Sequence, residues 1–262
     1  MQSFMKGVYS KQYEALKPAV EKLIEHFNTE GVFLYNGGRN MVKYFPLGDL
    51  TVNIKSFKVP NAFNKWVYRY IRKSKARRSF EYAQTLLQHG IGTPAPIAYF
   101  EIRGWLGITS SFYCSKHLSK SFTLREVIDG DDYPDAENII RHYTRLMYLM
   151  HEKQIYFKDN SAGNFLIEKE GQNYHFYLVD LNRMAFGKKM NVEQRLENFS
   201  RMASNDMVTR IINDEYALLL GKPASATMQI IEQKTAAFWK SIEKKRAFKA
   251  RWKRLIALFK RT

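Results

Sequence analysis

The first part of the chain carries short apolar runs, bounded by turn residues, that predict β-strands. The loop 36–40 (Asn-Gly-Gly-Arg-Asn) joins the first two runs as a tight hairpin. Apolar residues at helical spacing predict a helix over 12–27 and another around 80–87, which ends at Gly90 and Gly92. The predicted strands are 32–35, 42–45, 50–57, 97–101 and 106–115.

After Leu118 the apolar spacing becomes mainly helical, with one apolar face running from Ile139 to Met150. Two short strands, 165–167 and 174–179, interrupt the helices. Strands followed by helices indicate an α+β fold with two lobes and a boundary near His117. The predicted parts are a β-rich N-lobe over 1–117, a helical C-lobe over 118–238 and a basic amphipathic helix over 239–262.

The composition narrows the environment of the protein. The chain has 262 residues, enough for one large domain or two lobes, and Cys114 is the single cysteine, so no intramolecular disulfide is predicted. The first twenty residues lack the apolar core of a secretory signal, and no stretch approaches about 18 consecutive apolar residues. We therefore expect a cytoplasmic protein.

The net charge of +17 indicates an anionic partner, and the distribution of the charge along the chain helps to identify that partner. Ten basic residues against Glu243 alone give the segment Trp239–Thr262 more than half of the excess charge. Nucleic acid, anionic lipid and a phosphorylated or acidic substrate are the three candidates that composition leaves open.

Two residues of the first part match the phosphate-binding side of a kinase. Lys55 ends the alternating strand segment Val-Asn-Ile-Lys, as does the lysine that holds the α- and β-phosphates of ATP in kinases. Glu81 lies on the next predicted helix, where a kinase glutamate pairs with that lysine and fixes its position. Each residue alone is more often an ordinary surface charge.

Three residues of the second part match the metal and acceptor side. Asp159 and Asn164 have the D-x-x-x-x-N spacing of a kinase catalytic loop, followed by the apolar strand Phe-Leu-Ile. Asp180 follows the strand 176–179, in the place of the metal-binding Asp of D-F-G. In this interpretation Asp159 is the catalytic base, while Asn164 and Asp180 bind Mg²⁺, which prefers oxygen ligands.

These motifs together resemble the lipopolysaccharide core kinases, the Kdo and heptose kinases of Gram-negative bacteria, and most closely a branch seen in Bacteroidetes-type bacteria. The segments that carry the resemblance are 52–60 (VNIKSFKVP), 73–97 (KSKARRSFEYAQTLLQHGIGTPAPI), 151–167 (HEKQIYFKDNSAGNFLI) and 178–184 (LVDLNRM). The segment Asp-Leu-Asn-Arg at 180–183 separates the chain from ordinary protein kinases, which have Asp-Phe-Gly.

The resemblance implies a bilobal protein-kinase-like fold, ATP and Mg²⁺ as cofactors, and a sugar hydroxyl of the lipid-linked core oligosaccharide as acceptor. It also implies a location at the cytoplasmic face of the inner membrane. Adenine is expected against the connector between the lobes, near Lys116 and Leu118. A kinase of another small molecule or of a protein, a pseudokinase-type binding module and a nucleic-acid binder remain as alternatives, although nucleic acid is not expected as a partner.

The chain departs from the family pattern at three places. Phe157-Lys158-Asp159 stands where members usually have His-Gly-Asp, and the missing histidine is chiefly a structural brace. The glycine-rich loop is reduced to Gly37 and Gly38, the residues expected to approach the phosphates. Ala162 replaces a common proline.

Two basic segments are candidates for contact with an anionic membrane. In 239–262 the apolar residues Phe248, Trp252, Leu255, Ile256 and Phe259 form one helical stripe among lysines and arginines. Such a helix can lie in the lipid headgroups or pack its stripe on the protein's own core. The second segment, Lys65–Arg78, interleaves seven basic residues with aromatic ones, and its alternative is a solvated helix face.

Overall fold

The computed structural model describes residues 4–36, 40–58, 73–105, 107–130, 132–203 and 205–259. It divides into two compact units, each built from two stretches of chain. Unit 1 comprises Met1–Phe122 and Phe165–Arg183, and unit 2 comprises Thr123–Asn164 and Met184–Thr262. The segment 165–183, which the sequence interpretation placed in the helical lobe, therefore belongs to unit 1. The predicted domain limits themselves stay a prediction.

Unit 1 is built on a six-stranded antiparallel sheet with the order β1-β5-β6-β4-β3-β2. Its described strands are β1 (Phe4–Tyr9), β2 (Val32–Asn36), β3 (Asn40–Leu47), β4 (Leu50–Lys58), β5 (Pro96–Gly104) and β6 (Gly107–Lys116). Its described helices are α1 (Lys17–Glu25) and α2 (Lys75–Gln88), with 3₁₀ turns at Lys11–Leu16 and Leu181–Arg183. The five predicted strands are confirmed; β1, which pairs with β5, was not predicted.

The two faces of the sheet bury different sets of side chains because successive residues of a strand point to opposite sides. On one face, Val52 and Ile54 of β4 pack with Val20 and Ile24 of α1. On the other face, Phe57 packs with Ala76 and Phe80 of α2 and with Tyr99 of β5. Lys55 and Phe57 share this second face by alternation, so β4 directs its lysine to the side of the sheet that α2 covers.

Unit 1 is completed by an antiparallel hairpin of β9 (Phe165–Glu170) and β10 (Asn173–Leu178). The chain turns at Gly171, whose φ of +59° lies in the left-handed region that glycine adopts without strain. At the end of β10, the Leu178 amide donates to the carbonyl of Gly92 at 2.9 Å. The hairpin thereby joins the segment between α2 and β5, and delivers the chain to Asp180.

Unit 2 is mainly helical, and the two-residue strand β7 (Phe122–Thr123) spans the junction that leads into it. Its described helices are α3 (Leu124–Asp129), α4 (Ala136–Glu152), α5 (Val192–Glu197), α6 (Asp206–Leu220) and α7 (Ala224–Phe259). Short strands β8 (Tyr156–Phe157) and β11 (Met184–Ala185) pair antiparallel, and Ala162–Asn164 forms a 3₁₀ turn.

The core of unit 2 forms around α4, which buries the apolar face predicted from the sequence, including Ile139, Tyr143 and Met150. α6 packs against α4, and the first part of α7 packs against α5 and α6. Among the described helices, none combines the length and the apolar character that a bilayer-spanning segment requires.

Candidate active site

In unit 1, Lys55 forms an ion pair with Asp180. The Lys55 Nζ lies 2.9 Å from Asp180 Oδ1, and the two side chains are 19% and 42% exposed. Lys55 also lies over the ring of Phe57, with its Nζ 5.5 Å from the ring centroid. The residues were predicted from separate motifs, and unit 1 brings their charged groups into contact across 125 positions of sequence.

Asp180 has a left-handed backbone, with φ of +58°. This conformation is uncommon for a residue with a side chain, and aspartate tolerates it better than most. Local backbone strain of this kind concentrates at functional sites, where the surrounding structure maintains it. The conformation therefore favours a specific role for the Asp180 carboxylate over that of an ordinary turn former.

Three hydrogen bonds hold Asp180, two through the backbone on either side of it and one through its carboxylate. Thr93 Oγ1 donates to the carbonyl of Leu178 at 2.8 Å, on the N-terminal side. On the C-terminal side, the buried guanidinium of Arg78 in α2 donates to the carbonyl of Asn182 at 2.8 Å. The Asn182 amide in turn donates to Asp180 Oδ1 at 3.2 Å. Helix α2 and the 92–93 segment thus position Asp180 from both sides.

The electrostatic surroundings keep Asp180 ionised. Burial alone would raise the pKa of Asp180, but the charge of Lys55 and the hydrogen bonds from Lys55 and Asn182 outweigh it, with a smaller contribution from the charge of Lys75. The pKa of Asp180 is therefore lowered from its ordinary value. An ionised carboxylate beside an ammonium group is suited to bind a cation and a phosphate at one place.

Glu81 was predicted to pair with Lys55, but in unit 1 its carboxylate binds two other cations. Glu81 Oε2 binds Lys73 Nζ at 2.7 Å, and Glu81 Oε1 binds Arg77 Nε at 2.8 Å. Arg77 lies one helical turn before Glu81 on α2, so the local cation is always within reach, and Lys55 is engaged by Asp180 instead. We correct the assignment: Glu81 anchors the start of α2 and does not fix Lys55.

The basic segment Lys65–Arg78 also needs a correction at its described end. Arg78 is 8% exposed and bonded to Asn182, so it is a structural residue of unit 1 and not a surface contact. Lys73 and Arg77 are engaged by Glu81. Residues 59–72, which include the aromatic members of the segment, lie outside the described residues, as do Gly37 and Gly38 of the predicted phosphate loop.

The connector predicted to hold adenine follows β6. The amide of Lys116 donates to the carbonyl of Ala95 at 2.9 Å, and the amide of His117 donates to that of Thr51 at 2.8 Å. The carbonyl of Leu118 accepts from Ser121 Oγ at 2.9 Å. Both amides before Leu118 are thus used within unit 1, and adenine binding at Lys116 and Leu118 stays a prediction.

In unit 2, Asp159 and Asn164 are the two ends of one closed loop. The Asn164 side-chain amide donates to the Asp159 backbone carbonyl at 2.8 Å. The Asn164 backbone amide donates to the carbonyl of Ser161 at 2.9 Å. These bonds close the loop without a proline at Ala162. Arg201 lies beside the Asp159 carboxylate, with its Nη1 3.5 Å from Oδ1. The loop therefore brings Asn164 against the backbone of Asp159, while their predicted joint action stays a prediction.

A buried amide pair braces this loop where the family histidine is missing. The Asn198 side chain donates to the Phe157 carbonyl at 2.9 Å. Asn160, which is 1% exposed, donates to the Asn198 carbonyl at 2.8 Å and accepts from the Tyr143 hydroxyl at 2.9 Å. These buried polar groups are satisfied by one another, which specifies a single loop conformation. The departure at Phe157 is thus compensated by Asn160 and Asn198.

His151 completes the network as a neutral ring. Because the Asn198 amide nitrogen is used on Phe157, Asn198 Oδ1 accepts from His151 Nε2 at 3.1 Å, and His151 Nδ1 accepts from the Tyr216 hydroxyl at 2.7 Å. Burial lowers the pKa of His151 from 6.5 to about 4, against a smaller opposite influence of Asn198. His151 is a buried structural residue whose two ring nitrogens are both hydrogen-bonded.

This network predicts a specific loss of stability in mild acid. As the pH falls from about 6.5 to about 4, unfolded His151 gains a proton that folded His151 does not bind. The free energy of unfolding should therefore decrease across this window, by about 3 kcal/mol at its lower end. Urea unfolding at a series of pH values measures the slope.

The control is His151→Gln, which retains one acceptor for Tyr216 and one donor for Asn198 but does not titrate. This variant should show less of the slope between pH 6.5 and 4. Equal slopes in both proteins would show that other groups produce the acid sensitivity.

Sequence reasoning missed the residues that hold the site. Arg78 belongs to a charged segment, and nothing in its local pattern separates it from exposed neighbours. Asn160 and Asn198 are 38 positions apart. An available signal was the loss of the histidine before Lys158, because a lost brace implies a replacement elsewhere.

Each unit contains an oxygen donor of the kind that magnesium prefers. Asp180 offers a carboxylate that its surroundings keep ionised, and Asn164 offers an amide oxygen. Among the described residues, no group of three or more His, Cys, Asp or Glu side chains is placed to hold a metal by itself. Mg²⁺ commonly takes one or two carboxylates and completes its shell with phosphate and water, so the ionised Asp180 carboxylate of unit 1 is a donor that fits it.

Comparison with known proteins gives one family and one fold. A sequence model of the Lipopolysaccharide kinase (Kdo/WaaP) family matches residues 60–241. A 3-deoxy-D-manno-octulosonic acid kinase from Haemophilus influenzae (strain 86-028NP) is 25% identical over 142 residues, 53% of this chain. The chain spans 57% of the length of that curated relative.

The structural comparison concerns the fold. A solved structure of WaaP in complex with acyl carrier protein aligns with a TM-score of 0.61 and 13% sequence identity. The alignment covers 91% of this chain and 98% of the solved one. The predicted protein-kinase-like α+β fold is thereby confirmed.

Proposed function

We propose that this chain, which belongs to the lipopolysaccharide kinase (Kdo/WaaP) family, transfers the γ-phosphoryl group of ATP to a sugar hydroxyl, of Kdo or heptose, in the lipopolysaccharide inner core. The observation that carries the proposal is the Lys55–Asp180 ion pair, formed at 2.9 Å by two residues from separate kinase motifs. The family membership supports the acceptor class. A location at the cytoplasmic face of the inner membrane belongs to the same proposal.

In the proposed reaction each residue has a limited task, because phosphoryl transfer depends mainly on positioning and charge neutralisation. Lys55 binds the phosphates of ATP. Asp159 orients the acceptor hydroxyl and takes its proton as the oxygen bonds to the γ-phosphorus. The bond between that phosphorus and the β,γ-bridging oxygen breaks, and ADP leaves with its electron pair.

Asp180 and Asn164 are the proposed magnesium ligands. When bound, Mg²⁺ neutralises phosphate charge that would otherwise repel the incoming oxygen. Lys55 and Lys75 both contribute positive charge near Asp180 before any nucleotide binds. Adenine is proposed at Lys116 and Leu118, where the Leu118 amide would serve as donor.

The proposal is tested by phosphate transfer to purified inner-core glycolipid. The chain is incubated with γ-labelled ATP and Mg²⁺, and the label and the glycolipid mass are followed together. We expect one sugar to gain phosphate as ADP forms. Transfer to added protein, or ADP formation with an unchanged glycolipid mass, would contradict the acceptor assignment.

We further propose that the C-terminal part of α7 binds an anionic membrane surface. Three aromatic residues there are well exposed: Trp239 at 44%, Phe248 at 67% and Trp252 at 57%. The Phe248 and Trp252 rings stack one turn apart, with centroids at 6.3 Å. The exposed basic residues beside them are Lys240, Lys244, Lys245, Arg246, Lys249 and Arg251.

We propose that packing on the protein's own core applies to the N-terminal turns of α7, and contact with lipid headgroups to its C-terminal turns. The N-terminal turns of α7 pack on unit 2, where Thr227 and Ile231 are buried. From Glu243 to Trp252 every side chain is exposed. Exposed aromatic residues among lysines and arginines favour insertion into lipid headgroups, where each basic residue contributes about 1 kcal/mol.

Replacing Phe248 and Trp252 together by serine should weaken binding to phosphatidylglycerol vesicles about tenfold to hundredfold, since two apolar groups no longer enter the headgroup layer. Sedimentation with vesicles measures the partition. Phe4→Ser, which removes an equally exposed aromatic side chain from β1, should leave it unchanged. Equal binding to neutral vesicles would show that the basic residues contribute nothing.

A further inference from the structure

A second arginine beside the catalytic loop extends the surroundings of Asp159. Arg125 lies on α3 and is exposed. Its guanidinium Nε and Nη2 are each 3.3 Å from the position that a Cβ on Gly163 would occupy. The absence of a side chain at Gly163 therefore lets the Arg125 guanidinium lie close to the backbone of the loop.

The backbone that carries Arg125 is fixed by the capping of α3. Thr123 accepts from the Glu126 amide at 3.3 Å, and the Glu126 carboxylate accepts from the Thr123 amide at 3.0 Å. This reciprocal capping fixes the first turn of the helix, where Arg125 lies. Among the described residues, no carboxylate lies within 4.0 Å of the Arg125 guanidinium.

Arg201 is held at the other end of the same loop. Its guanidinium lies 3.5 Å from the Asp159 carboxylate, and its Cζ is 5.5 Å from the ring centroid of Phe238 on α7. The Arg201 side chain remains 36% exposed. The guanidinium is therefore supported by an aromatic ring while keeping an open side.

The two arginines lie against one small structure. The bond from Asn164 to the Asp159 carbonyl, at 2.8 Å, joins the two ends of the loop. Arg125 contacts the loop at Gly163 and Arg201 contacts it at Asp159. Of these three side chains, two are cationic and only Asp159 is anionic, so positive charge is in excess around the loop that would receive the acceptor hydroxyl. Lys158, which is exposed, adds to this excess.

We infer that Arg125 and Arg201 bind an anionic group of the acceptor, a carboxylate or a phosphate, next to the hydroxyl that Asp159 activates. This inference rests on the proposed function and narrows its substrate class to acceptors that carry such a group near the phosphorylated position. Guanidinium groups bind both anions through paired N–H donors. On binding, the acceptor anion takes the open side of Arg201, and Asp159 retains its place on the loop.

The test compares acceptors that differ in one anion. The parent acceptor is lipid A bearing one Kdo residue, a sugar acid. One derivative has the Kdo carboxyl converted to its methyl ester, and a second lacks the lipid A phosphates. For Arg125→Gln and for Arg201→Gln, we expect the KM for the parent acceptor to rise about tenfold to hundredfold, with the KM for ATP unchanged.

The derivatives identify which anion is bound. If the carboxylate is bound, the ester will bind the wild-type chain as weakly as the variants bind the parent; if a phosphate is bound, the dephosphorylated acceptor will do so. Arg210→Gln, on α6, removes an equal charge from an exposed position and should leave the KM unchanged. Variant defects that persist in full on both derivatives, or that move to the KM for ATP, would overturn the inference.

Binding without nucleotide separates this inference from the proposed function. The Kd of each acceptor is measured by calorimetry in the absence of ATP, for the wild-type chain and all variants. A wild-type chain that transfers no phosphate would refute the function, while these Kd values would still test the anion contact. Normal transfer with identical Kd values in wild-type and arginine variants would refute the contact alone.

Discussion

Replacing Asp159 by asparagine should lower kcat for phosphate transfer about 10²- to 10⁴-fold, the usual contribution of a general base. Asparagine keeps the size of the side chain but cannot accept the proton of the acceptor hydroxyl. The loop should survive the change, because Asn164 binds the backbone carbonyl of residue 159 and not its side chain. The measurement is initial rates with saturating ATP and inner-core glycolipid.

Two comparisons make this result specific to the base. Asp206→Asn removes the same charge from an exposed position at the start of α6, and it should change kcat less than twofold. The KM for ATP should stay constant in both variants, since Asp159 is proposed to act on the acceptor. A variant at Asp159 that retains more than half of the wild-type kcat would place the base elsewhere.

The motifs could be predicted from the sequence because each depends on short-range rules. The alternation of apolar and polar residues in β4 predicts the face of the sheet on which Lys55 lies. The apolar residues of β10 predict that Asp180 follows directly after a strand. Their contact at 2.9 Å follows once both segments belong to unit 1. The position of a strand and the side to which it points are set locally, by a period of two residues.

The ion-pair partner of a charged side chain could not be predicted from the sequence in the same way. Glu81 had Lys55 as its expected partner from a kinase motif, yet Lys73 and Arg77 are closer along the chain and bind both carboxylate oxygens. Charge spacing in the sequence alone does not show which of several cations a carboxylate will bind. The choice depends on which cation already has a stronger partner, as Lys55 has in Asp180.

The burial of polar side chains could not be predicted from local sequence patterns either. Arg78 lies in a segment whose pattern is typical of a charged surface, but its guanidinium is buried and bonded to Asn182, 104 positions away. Asn160 and Asn198 look like ordinary loop and helix-end residues, although they brace the loop that carries Asp159. Such contacts are decided by tertiary packing, which a single sequence does not encode in any short window.

Replacing Gly92 by alanine should destabilise the protein by about 3 kcal/mol or more, at the upper end of what overpacking costs. A Cβ at Gly92 would lie 2.1 Å from the carbonyl oxygen of Phe176 in β10. That oxygen belongs to the backbone, so the hairpin would have to move away and would weaken the bond of Leu178 to the Gly92 carbonyl. The same movement would displace Asp180, so transfer activity should fall in the fraction that remains folded.

Gly90→Ala is the matched control, because it introduces backbone strain at a positive φ without a steric overlap between the new Cβ and a neighbouring atom. Gly90 has φ of +71°, and among the described residues no atom lies within 4 Å of the place that its Cβ would take, so alanine should cost about 1 to 2 kcal/mol from backbone strain alone. Gly92 lacks a positive φ, so an account based on backbone freedom would rank the two variants in the opposite order. Urea unfolding of both variants decides between the accounts, and a Gly92→Ala protein more stable than Gly90→Ala would show that β10 can shift at little cost.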